Sequence, residues 1–535
     1  MKLMGGYDFP GSNSGIDLHA LTGWIPEHIF INDKNFVRDN VWKRLLAGQK
    51  YGDALITIAT GELTDADADA IGLVPTHAYA VLDIRETLGR RFLQVKNPWS
   101  HKRWTGPFSH MDAASWTPEL MRALDYDYRT AAQKDDGIFW IDFDSMCANF
   151  DSIHMNWSPE LFKYKSSIHS PWPSNMGPKK DVYNLGYNPQ FSLEVTVNDP
   201  KPAAVWLLLS KHITIKEENK DYITLHLYAG TNGERVFYPG NPMKEGTYVN
   251  SPHILVRFNA PQGTSRYTIV VSQHEKLRSL NFTLRAYCMS AFNLMEVPKK
   301  YSFEQKIPGQ WTEQTAGGNT SNATYMNNPQ WRLTIPPASG PVAPGTLYHA
   351  MAILILEAPR TFAVHVKLVQ GGKRVASVSM KDIVVQSGDY RHGFCYCEVP
   401  DLRPGDYTVV ASTFEAGLLN KFFLTIGCST KFLVTPIPLE GAGMFSKIVN
   451  GEWIVGVSAM GCSSNGGYNR NPRYQLDVRE LTTVRVRLQT PDIKPIPTTN
   501  VTIFERNGAG KPFVKEVATS GPYTNAIQGV ATNDV

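Results

Sequence analysis

The sequence predicts a mixed α+β segment over residues 1–152, followed by tandem antiparallel β-sandwiches over residues 153–535. Three observations predict it. Helix-like spacing of apolar residues is confined to the first part. Beyond about residue 153 it gives way to short alternating strands separated by Gly, Pro and Asn turns. The second part repeats itself at intervals of about 140 residues. Within the first part, two strand-like runs flank a short turn and bring His77 and Asn97 to one end of a hairpin, although they are 20 positions apart.

Taken in order, Asn35 to Leu46 carries Phe36, Val37, Val41, Trp42, Leu45 and Leu46 at helical spacing and ends near Gly48. Leu55–Ile58 reads as a strand. Asp65-Ala66-Asp67-Ala68-Asp69 reads as a solvated loop: its alternating aspartates resemble part of a calcium loop, but the Gly and Glu of an EF-hand do not follow them. Thr76–Ile84 and Phe92–Ser100 are the hairpin arms, with Leu88-Gly89-Arg90 turning the chain between them. Ala203–Leu209 is a buried strand, far too short to span a membrane as a helix.

The repeat defines the second part. Asn188-Pro189-Gln190 recurs as Asn328-Pro329-Gln330 and as Asn471-Pro472-Arg473, at intervals of 140 and 143. Trp172, Trp311 and Trp453 precede these motifs at intervals of 139 and 142. Tyr267–Ser272 matches Tyr407–Ser412, again 140 apart. The unit is therefore a domain and not a solenoid module, with sandwiches expected at 153–293, 294–432 and 433–535. The third is expected to be incomplete, because the period places its closing strand near residue 550, and a sandwich without its last strands exposes an edge and an open core.

Bulk properties narrow the function. A net charge of +4 over 535 residues, without basic runs, argues against nucleic acid and against a membrane-surface patch. Met1–Gly6 has no apolar core of a signal peptide. Six cysteines without a paired framework fit a reducing, cytosolic setting. Cys147, among Phe143, Met146 and Phe150, reads as a core thiol, and Cys395-Tyr396-Cys397 has no second pair beside it to make a metal site. Lys216–Asp221 is a charged loop of mixed sign and reads as a solvated turn.

His77 and Asn97 carry the chemistry. An imidazole held by a side-chain amide is two-thirds of a cysteine-protease triad: the amide oxygen accepts from one ring nitrogen, and the other nitrogen faces the nucleophile. Trp99 is placed to cover that hydrogen bond, and Leu73-Val74-Pro75 to shape the approach to the cleft. The residues Thr76-His77-Ala78-Tyr79 followed by Asn97-Pro98-Trp99 resemble the calpain family of papain-like cysteine proteases, with Thr76 in place of the family's glycine. Gly5–Ser14, Leu21–Glu27 and Ser387–Tyr396 are most similar to the atypical PalB-type branch.

The resemblance implies that residues 1–152 form the second, His/Asn-bearing subdomain of a papain-like protease core, closed by the strand Asp136–Ile141, and that the sandwiches are C2-like calpain domains. It implies a cytosolic cysteine endopeptidase recruited to endosomal sorting (ESCRT-III) complexes, which in fungi cleaves a transcription factor in alkaline-pH signalling. It assigns His77 and Asn97 as catalytic and Trp99 as their support. No cysteine precedes His77, where the family places its nucleophile, so this chain alone is expected to be inactive. No cofactor is expected: conventional calpains carry a calcium-binding glutamate where this sequence has Ile138, which puts calcium activation through that site in doubt. A second reading, from a different class, is a non-catalytic interaction protein built of β-sandwiches.

Overall fold

The computed structural model describes residues 12–175, 183–212, 221–275, 278–337, 349–490, 494–506 and 515–535. The stretch 5–11 and the charged loop at 216–220 lie outside these residues. The chain divides into two units, Met1–Val297 and Pro298–Val535.

The first unit opens with α1 (Ser14–Thr22), β1 (Ile25–Phe30), α2 (Arg38–Lys50), β2 (Ala54–Ala59), α3 (Asp65–Ile71), β3 (Ala78–Thr87), β4 (Arg90–Lys96), α4 (Pro118–Leu124), α5 (Tyr128–Ala132), β5 (Ile138–Asp142), α6 (Phe143–Asn149) and β6 (Ser152–Trp157). The six strands form one antiparallel sheet in the order β1-β6-β2-β3-β4-β5. Alternation along β4 and β5 sends Leu93, Val95, Phe139 and Ile141 into the main core with Trp42 and Leu45 of α2. Phe92 and Trp140 point to the opposite face, where Phe108, Trp116, Leu120 and Leu124 cover them. The β3–β4 turn consists of Leu88 and Gly89 with φ of 50° and 71°, the paired positive values of a tight hairpin turn.

The same unit continues as a two-sheet sandwich: β7 (Tyr164–Trp172), β8 (Gln190–Val197), β9 (Ala203–Lys211), β10 (Ile223–Ala229), β11 (Lys244–Glu245), β12 (His253–Ala260), β13 (Gly263–Gln273), β14 (Leu280–Cys288) and β15 (Ala291–Glu296). Its sheets run β11-β10-β13-β8-β15 and β12-β9-β14-β7. Leu208 and Tyr287 reach across into the core beneath α2, and Arg257 joins Arg44 on the buried carboxylate of Glu27, which also accepts from the Trp157 indole at 2.8 Å.

The second unit repeats the sandwich: β16 (Phe303–Trp311), β17 (Gln330–Ile335), β18 (Ala350–Glu357), β19 (Ala363–Gln370), β20 (Ile383–Gln386), β21 (Arg391–His392), β22 (Phe394–Leu402), β23 (Gly405–Thr413), β24 (Asn420–Cys428) and β25 (Leu433–Ile437). One sheet runs β16-β24-β18-β22 and the other β20-β19-β23-β17-β25, with β21 also on β19. The repeated Asn-Pro-Gln motif acquires a physical meaning. The Gln190 amide donates to the Leu185 and Val236 carbonyls and accepts from Val236 N–H. Gln330 does the same with Met326 and Val375. Each glutamine thus pins a distant loop to the start of its strand. Cys395 and Cys397 lie in the core of this sandwich, and burial pushes the Cys395 thiol up to about 12.

Several expectations need correction. Asp65–Asp69 is helical, not a loop: the Thr64 hydroxyl caps Asp67 N–H at 3.1 Å, Asp65 and Asp67 sit in the first turn where the helix dipole favours anions, and Gly72 closes the end in the left-handed region. The helix expected over 35–46 is shifted to 38–50, because Asn35 and Phe36 take turns around Asp33 instead. The boundaries also move. The cut at 152/153 falls inside β6, which pairs with β1 and β2. The cut at 293/294 falls inside β15, which completes the first sandwich by pairing with β8. The cut at 432/433 leaves out β25, which pairs with β17.

Residues 438–535 hold, among those described, only two short strand pairs, Arg487–Leu488 with Val530–Ala531 and Thr502–Glu505 with Lys515–Thr519. In the first two copies the Trp-ending strands β7 and β16 pair with β14 and β24, and β8 and β17 pair with β13 and β23. In the third copy Trp453, Tyr474 and Leu476, which correspond to the buried Trp311, Trp331 and Leu333, are exposed. Limited proteolysis is therefore expected to trim the chain to about Ile437 and stop at β25, and mass spectrometry of the products checks this. Equal resistance of 438–535 and of the two sandwiches would contradict it.

The first unit also stores acid sensitivity. His154 of β6 is buried and stacks on His28 at 4.2 Å; His253 of β12 meets His19 of α1 at 4.4 Å. Burial pulls His154 and His253 down to about 3, each helped by its neighbouring histidine. Because folding lowers these values, the unfolded chain binds the extra protons, so this stability is present above about pH 6.5 and is lost as pH falls towards 3. At pH 5 the loss at His154 alone amounts to about 2 kcal/mol. The melting temperature of the first unit should fall between pH 7 and pH 5; a constant value would show that these rings are solvated.

Candidate active site

The site is built at one end of the β3–β4 hairpin. His77 is the residue just before β3, and Asn97 the residue just after β4. The hairpin register sets Ala80 opposite Lys96, with a shift between Val81 and Asp83 that absorbs one residue. The two flanking residues consequently meet, and His77 Nε2 lies 2.9 Å from Asn97 Oδ1.

The backbone around Asn97 decides the role of each side-chain atom. This residue is fully buried. Its Oδ1 accepts the Trp99 N–H at 3.0 Å, and its Nδ2 donates to the Lys102 carbonyl at 2.9 Å. An N–H can only donate and a carbonyl can only accept, so the amide has one orientation. The oxygen therefore faces His77, and Nε2 must carry the ring proton. In the neutral ring this leaves Nδ1 unprotonated, as a base. Burial lowers the His77 pKa, and the hydrogen bond to Asn97 offsets part of that shift.

The loop after β4 is held by a neighbour. Asn97 N–H donates to the Gly137 carbonyl at 3.0 Å, and Ser100 N–H donates to the Asn97 carbonyl at 3.1 Å. Gly137 has φ of +74°, and a Cβ there would come within 2.5 Å of the Asn97 carbonyl oxygen. Only glycine fits both conditions. Trp99 packs against the His77 ring at 4.3 Å beside the fully buried Asn97, while 62 % of its own surface stays exposed. Tyr79 lies edge-on to His77 at 5.0 Å and accepts Val74 N–H through its hydroxyl at 2.8 Å. This fixes Leu73-Val74-Pro75 next to the ring.

The Thr60 hydroxyl, which accepts His77 N–H at 3.0 Å, the tie from the Tyr79 hydroxyl to Val74, and the contact of Gly137 with Asn97 are parts of the site that sequence reasoning missed. Gly137 reads in the sequence as the start of a strand, not as a contact of Asn97. A threonine at the end of a short strand carries no signal of its own. Cys147 lies in α6, buried in the core, and burial raises its thiol to about 11, the reverse of an activated nucleophile. At Ile138 the side chain supplies no oxygen, and Asp136 Oδ1 accepts the Ile138 N–H at 3.0 Å.

Known proteins resemble both parts of the chain. Residues 1–156 match the family described as "Calpain family cysteine protease", and residues 307–426 match "Calpain large subunit, domain III". "Calpain-7" of Homo sapiens is 42% identical over 446 residues, covering 82% of this chain and 53% of that protein. "Calpain-like protease palB/RIM13" of Aspergillus oryzae is 35% identical over 553 residues, covering 100% of this chain and 60% of that protein. "Calpain-like protease palB" of Emericella nidulans is 34% identical over 543 residues, with the same coverage. The chain thus spans little more than half the length of these relatives. It belongs to the calpain family, in the atypical PalB-type branch.

Gly137→Ala tests the support of Asn97. It is expected to lower stability by about 1–3 kcal/mol through strain at positive φ and the clash with the Asn97 carbonyl. It should also weaken the His77–Asn97 hydrogen bond, read as a changed Nε2–H signal in NMR. An alanine variant that melts like the parent and keeps that signal would show that the contact is slack.

Proposed function

We propose that this chain carries the base and its orienting amide for a calpain-type cysteine endopeptidase. The carrying observation is the His77–Asn97 pair, whose amide orientation leaves Nδ1 as the free ring nitrogen. The thiol is to be supplied by a Cys-bearing segment of the family's protease core. In that assembly Nδ1 takes the thiol proton, and the resulting thiolate attacks the peptide carbonyl. The imidazolium then returns its proton to the leaving amine as the C–N bond breaks, which leaves an acyl-enzyme. Water, losing a proton to Nδ1, hydrolyses the thioester and releases the acid. Asn97 keeps the ring in one tautomer and one plane throughout.

None of the six cysteines follows the family setting for a nucleophile, so the chain by itself is proposed to lack peptidase activity. Its papain-like character, its cytosolic place with recruitment to endosomal sorting complexes (ESCRT-III), and a transcription factor as protein substrate in alkaline-pH signalling are proposed on the PalB-type resemblance. Calcium takes no part in the proposed chemistry.

Joined to a Cys-bearing calpain segment, the chain is expected to show proteolysis blocked by thiol reagents. His77→Ala should abolish it, and Asn97→Ala should reduce kcat by about 10²-fold, since it disorders the base without removing it. Full activity in the His77→Ala protein would refute the assignment of the site.

A further inference from the structure

We propose that Thr60 is the residue that positions the base: its hydroxyl fixes the backbone of His77 as Asn97 fixes the ring. The proposal rests on the reading of His77 as the base. Val74-Pro75-Thr76-His77 leads the chain from the end of α3 into β3, and it is an awkward path. Thr76 has φ of +45°, a left-handed conformation that a β-branched residue adopts at a steric penalty. Pro75 has no N–H with which to anchor the turn. Such a segment holds its shape only if its surroundings over-determine it.

Apart from the Tyr79 hydroxyl on Val74 N–H, the surroundings that hold it are Thr60 and Gly61. Thr60 N–H donates to the His77 carbonyl at 3.1 Å, and Thr76 N–H donates to the Gly61 carbonyl at 2.9 Å. The Thr60 hydroxyl lies across the bend. It accepts His77 N–H at 3.0 Å and donates to the Val74 carbonyl at 2.6 Å. A hydroxyl can accept and donate at once, so one side chain serves both ends of the four-residue turn. Thr60 is only 5 % exposed, so water is poorly placed to take over both bonds. Removing the hydroxyl leaves the His77 N–H and the Val74 carbonyl unpaired, and the turn can recover partners only by moving. The imidazole, tethered to Asn97 by one hydrogen bond, moves with it.

Thr60→Val keeps the shape and deletes the hydroxyl; Thr60→Ser keeps the hydroxyl. In the chain as it stands, with labelled histidine, NMR follows the His77 titration and the exchange of its backbone amide. Thr60→Val is expected to bring the His77 titration up towards the ordinary histidine value and to speed amide exchange, and Thr60→Ser to restore both. In the protein joined to a Cys-bearing segment, Thr60→Val should lower kcat by about 10²-fold with KM within about twofold. Thr76→Gly, which removes the steric penalty while leaving the hydroxyl in place, should leave the titration unchanged, and it serves as the informative variant if Thr60→Val does not fold. An unmoved titration in Thr60→Val, a serine variant that behaves like valine, or a titration shift in Thr76→Gly would each overturn the proposal. The NMR arm needs no proteolysis, so failure of the protease reading, seen as activity that survives His77→Ala, is distinguishable from failure of this one.

Discussion

The arrangement depends on one constraint: a backbone N–H and a backbone carbonyl cannot exchange roles. Trp99 N–H and the Lys102 carbonyl seize the two ends of the Asn97 amide and leave its oxygen pointing at His77. This sets the tautomer of the ring, and with it the identity of the free nitrogen. The tautomer of the imidazole is thus written in main-chain geometry. The hairpin turn, the shift in register, and the absence of a side chain at Gly137 all serve to deliver the 97–102 loop to that position.

The ring is held from two directions. Asn97 sits on the loop after β4, itself tied to the start of β5 through Gly137. Thr60 comes directly after β2 and ties down the backbone before β3. Neighbouring strands of one sheet therefore converge on one imidazole. Tyr79 adds a further support from inside the core, where burial keeps its phenol protonated, with the pKa raised to about 12. Sites assembled on strand ends in this way inherit the rigidity of the sheet.

Much of this was legible in the sequence, for identifiable reasons. Two strands rich in aromatic and branched residues, separated by Leu88-Gly89, define a hairpin, and any hairpin brings its outer ends together; His77 and Asn97 stood at those ends. The 140-residue repeat showed the sandwiches, because strand motifs recur with their spacing. What was illegible lay in single hydrogen bonds. Three aspartates read as a solvated loop, whereas the Thr64 cap and the Gly72 stop make them a helix. Trp99 read as a cover, and the sequence did not show that its own backbone N–H is one of the two groups that orient the Asn97 amide. The domain cuts at 152/153, 293/294 and 432/433 missed because a strand at a boundary belongs to the sheet it pairs with, and pairing is not visible in local sequence.

Asn97 fixes His77 with its proton on Nε2 and a bare Nδ1, and nitrogen-15 NMR of the histidine-labelled chain near neutral pH reads this directly. A protonated Nε2 coupled to the Asn97 side chain and an unprotonated Nδ1 are expected, with the preference lost in Asn97→Ala. A proton residing on Nδ1, or a tautomer indifferent to Asn97→Ala, would contradict it.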